Sequence, residues 1–194
     1  MKRLAKTILK LFLAAIILVA VFSFITSQYT SEHEGLTFPS IDLNKEEKEL
    51  HGSYLVSYVI DGDTFLTVID GEEIKVRLIG VDTPESVNEV NPEKNCKEGN
   101  IASDYTKKLL AGETVYLEYD INKTDDYGRT LAYVYLDESG SDMVQERLLK
   151  DGMANVISVG SNIKYLFKFR FLAAQARAKK SGFWAENFWG EGYK

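Results

Sequence analysis

The feature of this chain that most constrains its fold is a run of short segments rich in β-branched and aromatic residues. Three strands are predicted at residues 54–60, 64–69 and 73–79. Asp70 and Gly71 stand between the second and third strands, and glycine readily adopts the positive φ that a two-residue hairpin turn requires. The pattern therefore predicts a β-rich domain in which these two strands pair as a hairpin.

The rest of the chain adds two strands and three helices. The strands are predicted at residues 114–119 and 131–136. The helices are predicted at residues 100–111, from Ser141 or Asp142 to about Lys150, and at residues 162–180. Five short strands interrupted by a helix are typical of the oligonucleotide-binding (OB) barrel. The predicted fold class is mainly β with α: a five-stranded OB-fold barrel with three packed helices.

Two segments outside these elements have a distinct composition. Residues 87–99 are polar, contain Pro92 and Cys96, and are predicted to form a loop. Beyond Gly182, four aromatic residues are predicted to fold back as an apolar clasp: Phe183, Trp184, Phe188 and Trp189. At 194 residues the chain has room for one domain of this kind plus an appendage.

The appendage is the N-terminus. Four basic residues fall within the first ten, and residues 11–25 then form an uncharged, almost wholly apolar run. This run is shorter than the roughly 20 residues that span a bilayer, but it has the length of a secretory signal core. Residues 1–27 are therefore predicted to be a signal peptide or, if uncleaved, an N-terminal membrane anchor. Residues 28–50 are predicted to be a polar linker, and residues 51–190 a domain outside the cytoplasm, secreted or anchored.

Charge and cysteine content exclude some classes of function. The formal net charge is -6, so the chain lacks the broadly basic surface of a protein that coats nucleic acid nonspecifically. An enzyme with a focused cationic cleft is compatible with this charge. Cys96 is the single cysteine, so the chain cannot form an internal disulfide, and a zinc cluster is disfavoured.

Three short clusters carry the residue types of a site that cleaves phosphodiesters. The first contains Asp61 and Asp63, the second contains Arg77, Asp82 and Glu85, and the third spans residues 125–129. Oxygen atoms, carboxylate oxygens among them, are the ligands that hard divalent cations take. Guanidinium groups bind phosphate oxygens in pairs and stay charged. Together the clusters predict a metal-assisted site that acts on phosphate.

The spacing of Arg77 and Asp82 predicts a bend between them. The two residues are five positions apart, so strand alternation alone would put them on opposite faces. A bulge or bend near Gly80 would aim both at one cleft. Glu85 follows on a loop that Pro84 stiffens, where it can orient a water molecule instead of binding metal directly.

Each cluster also has an interpretation without catalysis. Asp61 and Asp63 are compatible with simple turn chemistry, and residues 82–85 with a capped turn. Asp125 and Asp126 are predicted to be solvated loop charges rather than ligands. The order and spacing of the clusters together, and no single residue, favour a catalytic site.

Five longer motifs run in the same order between about Leu55 and Trp184. They are Asp-Gly-Asp-Thr at 61–64, Arg-Leu-Ile-Gly-Val-Asp-Thr-Pro-Glu at 77–85, Ala-Ser-Asp-Tyr-Thr-Lys-Lys at 102–108, Asp-Tyr-Gly-Arg-Thr-Leu-Ala-Tyr at 126–133, and Gly-Met-Ala at 152–154. With these motifs the chain resembles the staphylococcal nuclease family. The resemblance implies an OB-fold barrel with three helices, acting as a monomer. It also implies calcium-dependent, endonucleolytic hydrolysis of DNA and RNA that leaves 3′-phosphate ends.

The resemblance further implies roles for the matching acidic segment. Asp63 and Asp82 would bind calcium together with the backbone carbonyl of Thr83. Glu85 would position or deprotonate the attacking water. A metal beside charged donors stabilises the transition state of phosphoryl transfer electrostatically.

The matching basic and aromatic residues would contact the substrate. Arg77 and Arg129 would hold the scissile phosphate, with Arg129 nearest the leaving oxygen, and Tyr127 would lie on the nucleotide's other phosphate or sugar. Two departures from the family pattern stand out. Residues 156–160 replace a stretch with two pocket tyrosines, and Asp126 replaces a lysine. These departures predict a weaker grip on the substrate.

Two other functions are weighed against nuclease activity. A domain of this fold that only binds nucleic acid would have lost carboxylates or arginines. The residues present here include all five of that kind: Asp63, Arg77, Asp82, Glu85 and Arg129. A barrel that binds sugars or cell-wall material would use the acids only for calcium-dependent stability. That function makes no demand for arginines at positions 77 and 129.

Overall fold

The described part of the chain is built around a barrel of five strands. This computed structural model describes residues 48–86, 95–158 and 160–190. The strands in chain order are β1 (His51–Asp61), β2 (Thr64–Ile69), β3 (Glu72–Leu78), β4 (Val81–Asp82), β5 (Thr114–Glu118), β6 (Thr130–Tyr135) and β7 (Asn155–Val156). The helices are α1 (Lys97–Leu110), α2 (Val144–Lys150) and α3 (Leu166–Lys179), and a 3₁₀ turn at Gly182–Trp184 follows α3.

Strand pairing closes the barrel in the order β1-β2-β3-β6-β5. Neighbouring strands are antiparallel except for β3 and β6, which run parallel. The first part of β1 pairs with β5 and the second part with β2, so this one long strand joins the two ends of the sheet. Closure leaves none of the five strands with an unpaired edge. The predicted five-stranded barrel with three helices is confirmed.

The leader and linker predictions fall on residues that are not described. Residues 1–47 lie outside the described part of the chain, as do residues 87–94 of the predicted loop. Within the described ranges, no helix is both long enough and apolar enough to cross a membrane.

Two elements begin earlier in the chain than predicted. β1 begins at His51 rather than residue 54, because residues 51–55 pair with β5 to close the barrel. α1 begins at Lys97 rather than residue 100, since the Sγ atom of Cys96 accepts a hydrogen bond from the backbone N–H of Gly99 at 3.4 Å and caps the helix. The prediction of loop structure up to residue 99 is therefore wrong for its last three residues.

The other two helices begin later than predicted. Ser141 and Asp142 do not cap α2, because Ser141 binds Asp137 and Asp142 pairs with an arginine of the helix. α3 begins at Leu166 rather than residue 162. The side chain of Asn162 instead exchanges hydrogen bonds of 2.8 Å with the backbone of Asn122.

The core lies inside the barrel and beneath α2 and α3. Its largest fully buried side chains include Phe65, Tyr133, Tyr135 and Phe169, and burying a side chain of this size stabilises the fold by about 2–3 kcal/mol. A buried carboxylate, Glu118, is held within this core. The hydroxyl of Tyr135 donates a hydrogen bond of 2.5 Å to it. This polar network was not predicted from the sequence, since Glu118 ends an otherwise ordinary strand.

The predicted aromatic clasp is confirmed. Phe183 and Trp189 are buried against Ala102 of α1 in a separate apolar cluster, with Trp184 and Phe188 packed on it. The clasp is tied to the rest of the fold through Gly152, whose carbonyl accepts hydrogen bonds from Phe183 N at 3.1 Å and from Trp189 Nε1 at 3.3 Å.

Gly152→Ala is expected to lower the free energy of unfolding by at least about 2 kcal/mol. Gly152 has a φ of +70°, and a β-carbon there would overlap the carbonyl oxygen of Ser181. Gly112→Ala is the matched control, because Gly112 has a φ of +76° but open space around its β-carbon position. The control should lose only about 1 kcal/mol. Urea unfolding followed by tryptophan fluorescence measures both, and equal losses would contradict the steric argument.

Candidate active site

A reversal at Gly80 brings Asp82 to the side of Arg77. β3 ends at Leu78, Gly80 has a φ of +80°, and β4 then pairs with β7 through Val81–Val156 and Asp82–Asn155. The predicted bend near Gly80 is therefore confirmed. Asp82 lies beyond the third strand, in the separate two-residue strand β4.

Arg77 lies between the two predicted metal-ligating carboxylates. Its Nη1 atom is 2.7 Å from Oδ2 of Asp63, and its Nη2 atom is 3.2 Å from Oδ1 of Asp82. Nη1 also donates to the carbonyl of Val81 at 2.9 Å. The guanidinium is largely buried, with 14% of the side chain exposed, so these contacts hold it in one orientation.

Asp63 is bound from two further directions. Its Oδ2 atom accepts a hydrogen bond from the backbone N–H of Thr83 at 3.1 Å, and its Oδ1 atom accepts one from the hydroxyl of Thr64 at 3.0 Å. The three predicted metal-binding residues, Asp63, Asp82 and Thr83, therefore come together around Arg77.

The carboxylate of Asp61 forms hydrogen bonds within the loops around the site, whereas the carboxylate of Asp63 pairs with Arg77. Its carboxylate accepts hydrogen bonds from the backbone N–H of Gly62 at 2.8 Å and from the hydroxyl of Ser86 at 2.8 Å. These bonds join the β1–β2 turn to the residue that follows Glu85. Thr106 of α1 donates to the carbonyl of Gly62 at 2.6 Å and holds the same turn from behind. The turn interpretation thus describes Asp61, while Asp63 faces Arg77.

Glu85 lies at the edge of this carboxylate cluster. Burial, together with the nearby carboxylates of Asp61, Asp63 and Asp82, raises the pKa of Glu85 to about 7. Burial also raises the pKa of Asp61. Carboxylates this close destabilise one another's charged forms. The cluster therefore carries more negative charge than its protein surroundings offset.

The first turn of α1 positions Glu85 through its backbone. The carbonyl of Glu85 accepts a hydrogen bond from the backbone N–H of Cys96 at 3.0 Å. A β-carbon on Gly99 would overlap the same carbonyl oxygen, so only glycine lets the helix approach this closely. The Sγ atom of Cys96 forms no disulfide within the described part of the chain. That Cys96 holds the backbone of Glu85 was not predicted from the sequence. The only sequence signal for this contact was the glycine at position 99, in a segment predicted to be a loop.

The parallel pairing of β3 and β6 brings Arg129 to the face that carries Arg77. Arg77 pairs with Leu131, and Arg129, two residues earlier, shares the face of Leu131 because side chains alternate along a strand. The Nε atom of Arg129 donates to Oδ2 of Asp125 at 2.6 Å. Asp125 also accepts hydrogen bonds from the backbone N–H groups of Tyr127 and Arg129.

Asp125 is therefore not a solvated loop charge, and that prediction is wrong. Burial alone would raise the pKa of Asp125, but the hydrogen bonds and charge of Arg129 lower it below its ordinary value. The carboxylate organises the loop and holds Arg129 in place. The sequence signal was the four-residue separation of the two residues, which this turn closes.

Both arginines line one pocket of about 300 Å³. Tyr127 stands at its mouth with 86% of the residue exposed, and the Arg129 guanidinium lies 5.4 Å from the centre of its ring. Ile157, which belongs to the segment that replaces the two pocket tyrosines of the family pattern, and Asn162 complete the wall. The pocket thus offers two guanidinium groups and an exposed aromatic ring beside the carboxylate cluster.

Known proteins are similar in sequence to this chain over most of its length. The family model described as staphylococcal nuclease homologue matches residues 75–186. The thermonuclease of Staphylococcus intermedius is 38% identical over 184 residues, which cover 95% of this chain and 99% of that protein. The thermonuclease of Staphylococcus hyicus is 38% identical over 170 residues, covering 88% and 95%. Endonuclease YncB of Bacillus subtilis (strain 168) is 36% identical over 148 residues, covering 74% and 66%. The chain therefore belongs to the staphylococcal nuclease family.

Proposed function

We propose that this chain is a calcium-dependent nuclease that hydrolyses phosphodiester bonds within DNA and RNA and leaves 3′-phosphate ends. Membership of the staphylococcal nuclease family makes it a phosphodiester-hydrolysing enzyme with nucleic acid as its substrate. Similarity to thermonucleases and to an endonuclease supports cleavage inside the strand. The identity of the cation, the use of both nucleic acids and the position of the product phosphate belong to the proposal.

One observation carries the proposal: Arg77 connects the carboxylate cluster to the pocket that holds Arg129. It contacts Asp63 and Asp82 and lines the pocket at the same time. A phosphate in this pocket would meet two guanidinium groups, and Asp63 and Asp82 would hold a cation that supplies further positive charge. This combination of charges suits a phosphodiester whose negative charge grows in the transition state.

Asp63 and Asp82 are the proposed calcium ligands, with the backbone carbonyl of Thr83. The donor chemistry fits, because calcium takes oxygen ligands from carboxylates, carbonyls and water. Both carboxylates reach the same guanidinium group. Burial first, and the charges of the neighbouring carboxylates second, raise the pKa of Glu85, and a dication would offset the contribution of those charges. Within the described residues, no group of three or more His, Cys, Asp or Glu side chains is arranged to hold a metal ion.

In the proposed mechanism, Glu85 orients the attacking water and accepts its proton. The water oxygen forms a bond to phosphorus, the bond from phosphorus to the 5′ oxygen breaks, and the phosphate stays on the 3′ carbon. Arg77 and Arg129 stabilise the charge on the phosphate, and Arg129 also stabilises the leaving oxygen. Tyr127 contacts a neighbouring phosphate or sugar. When bound, the cation adds electrostatic stabilisation of the same charge.

The proposal includes export of a monomeric enzyme. The basic start and apolar run of residues 1–27 support a signal peptide or a membrane anchor, with residues 28–50 as a polar linker. The enzyme would then act outside the cytoplasm, secreted or bound to the membrane. Sequencing the N-terminus of the mature protein distinguishes the cleaved form from the anchored one.

Chelation is expected to abolish hydrolysis of single-stranded DNA, to below about 1% of the rate with calcium, if the cation supplies charge stabilisation worth two orders of magnitude or more. Readdition of calcium in excess of the chelator should restore the rate. Gel analysis of a labelled oligonucleotide measures the loss of substrate and identifies the product ends. Full activity in the presence of chelator would overturn the calcium mechanism. Binding of the oligonucleotide without cleavage, with every divalent cation tested, would favour a domain that only binds nucleic acid.

A further inference from the structure

A second pocket lies beside the active site and is not used by the chemistry described above. It has a volume of about 350 Å³ and is formed by β7, Ser158 and one face of α3. Arg170 and Arg177 are its charged lining residues, and Trp184 is its aromatic one. We call this pocket the α3 groove.

The α3 groove is cationic in an acidic protein. α3 contains four basic residues and no acid, although the chain as a whole has a net charge of -6. Lys168, on another side of the helix, is paired with Glu146. Arg170 and Arg177 form no ion pair with any acid among the residues that the structure describes, and no acidic residue lines the groove. The groove is therefore complementary to an anion.

Aromatic side chains border the two arginines. The Arg177 guanidinium lies 5.6 Å from the centre of the Trp184 ring, a contact that holds it at the groove. Phe167 and Phe171 are 88% and 60% exposed. At 100° per residue they share one broad helix face with Arg170 and Arg177. Guanidinium groups alternating with exposed aromatic rings are typical of surfaces that bind single-stranded nucleic acid, because bases stack on the rings.

The α3 groove and the active-site pocket share a wall. Ile157 lines the active-site pocket, while Val156 and Ser158, its two neighbours, line the groove. This segment is held against the active site, since β7 pairs with β4 and Ile157 N donates to the carbonyl of Gly80 at 3.1 Å. A strand that leaves the active-site pocket therefore has to cross only this segment, about 5 Å wide, to enter the groove.

We propose that the α3 groove binds the part of a single-stranded nucleic acid that continues beyond the scissile phosphate. Arg170 and Arg177 contact backbone phosphates, and Phe167 and Phe171 stack on bases. The two arginines are two helical turns apart, roughly 10 Å, so they can contact different phosphates of one strand. The inference rests on the proposed nuclease function for the identity of the ligand. In this proposal, residues of α3 contribute to substrate affinity without contacting the reacting phosphate.

The test compares two double variants with the same change in charge. R170Q/R177Q removes the groove cations, and K107Q/K108Q removes two exposed cations of α1 that line neither pocket. Hydrolysis is measured with a single-stranded 20-mer and with a dinucleotide too short to reach the groove. We expect R170Q/R177Q to raise KM for the 20-mer about tenfold while the dinucleotide kinetics stay within twofold, and K107Q/K108Q to change neither.

Binding of the labelled 20-mer without hydrolysis gives an independent readout. Fluorescence anisotropy in chelator, at several salt concentrations, should show a salt slope that is smaller by about 1.4 for R170Q/R177Q, since each lost phosphate contact in a single strand contributes about 0.7. Phe167→Ala should weaken binding at least about fivefold with an unchanged slope, because stacking is not electrostatic.

Three outcomes are decisive. Equal 20-mer affinity for R170Q/R177Q and K107Q/K108Q overturns the proposal. Loss of affinity for a 20-base-pair duplex, but not for the single strand, also overturns it. If the wild-type chain cleaves nothing, and R170Q/R177Q still binds the 20-mer less well than the wild-type chain does, the groove proposal stands and the nuclease function is refuted.

Discussion

Arg77→Ala is expected to lower kcat for single-stranded DNA by about 10²- to 10³-fold. The guanidinium lines the pocket where the phosphate is proposed to bind. It also orients the carboxylates of Asp63 and Asp82 through contacts of 2.7 and 3.2 Å. The substitution also leaves the buried carboxylate of Asp63 without its cation, which should lower the free energy of unfolding by roughly 3 kcal/mol. Steady-state hydrolysis well below the melting temperature, together with urea unfolding, measures both effects.

Arg147→Ala is the matched control for this prediction. Arg147 also pairs with an aspartate, Asp142, but the pair is exposed and lies outside both pockets. Its loss should change stability by less than about 1 kcal/mol and leave hydrolysis within twofold. If Arg77→Ala were as active as Arg147→Ala, Arg77 would be a structural residue only.

Glu85→Gln is expected to lower kcat by about 10²- to 10⁴-fold, the range associated with a lost general base, with little change in KM. Stability should not fall. The carboxylates of Asp61, Asp63 and Asp82 repel a charged Glu85, so a neutral amide at position 85 removes this repulsion. The glutamine side chain has the same shape as glutamate and can still form a hydrogen bond with Asp61. Loss of catalysis without loss of stability is the signature that separates this residue from Arg77.

Glu138→Gln serves as the control for charge, since Glu138 is exposed in the turn after β6 and lines neither pocket. It should leave kcat within twofold. Retention of at least half of the wild-type kcat by Glu85→Gln would contradict the assignment of Glu85 to the attacking water. A matched fall in kcat and in unfolding free energy would instead indicate that Glu85 supports the loop.

The elements of the barrel were predictable because local patterns specify them. Alternating β-branched residues and the Asp70–Gly71 turn mark β2 and β3, which pair residue by residue from Thr64–Arg77 to Ile69–Glu72. Helix boundaries were less predictable, since they depend on where side chains find partners. Asn162 resembles a helix start but binds Asn122, and Cys96, an unusual cap, begins α1.

The candidate site was predictable as a set of residues but not as an arrangement. The motifs named Asp63, Arg77, Asp82, Glu85 and Arg129 in advance. Asp125 was misjudged, because its value as a partner for Arg129 depends on a turn that closes only in the folded chain. Gly99 was overlooked, because the close approach of α1 to Glu85 joins segments separated by a loop.

The strand and helix content, the family and the chemical types of the site residues can all be read from the amino-acid order. Each of these follows from spacing along the chain, which alternation, turn chemistry and motif order record directly. Which residues act together depends on the folded chain. The positive φ at Gly80 turns Asp82 back to Arg77, and the parallel pairing of β3 with β6 carries Arg129 to the same face. The packing of α3 beside β7 places Arg170 and Arg177 next to the active site. Apart from the Arg77–Asp82 contact, these contacts join residues far apart in sequence, so they exist only in the folded chain.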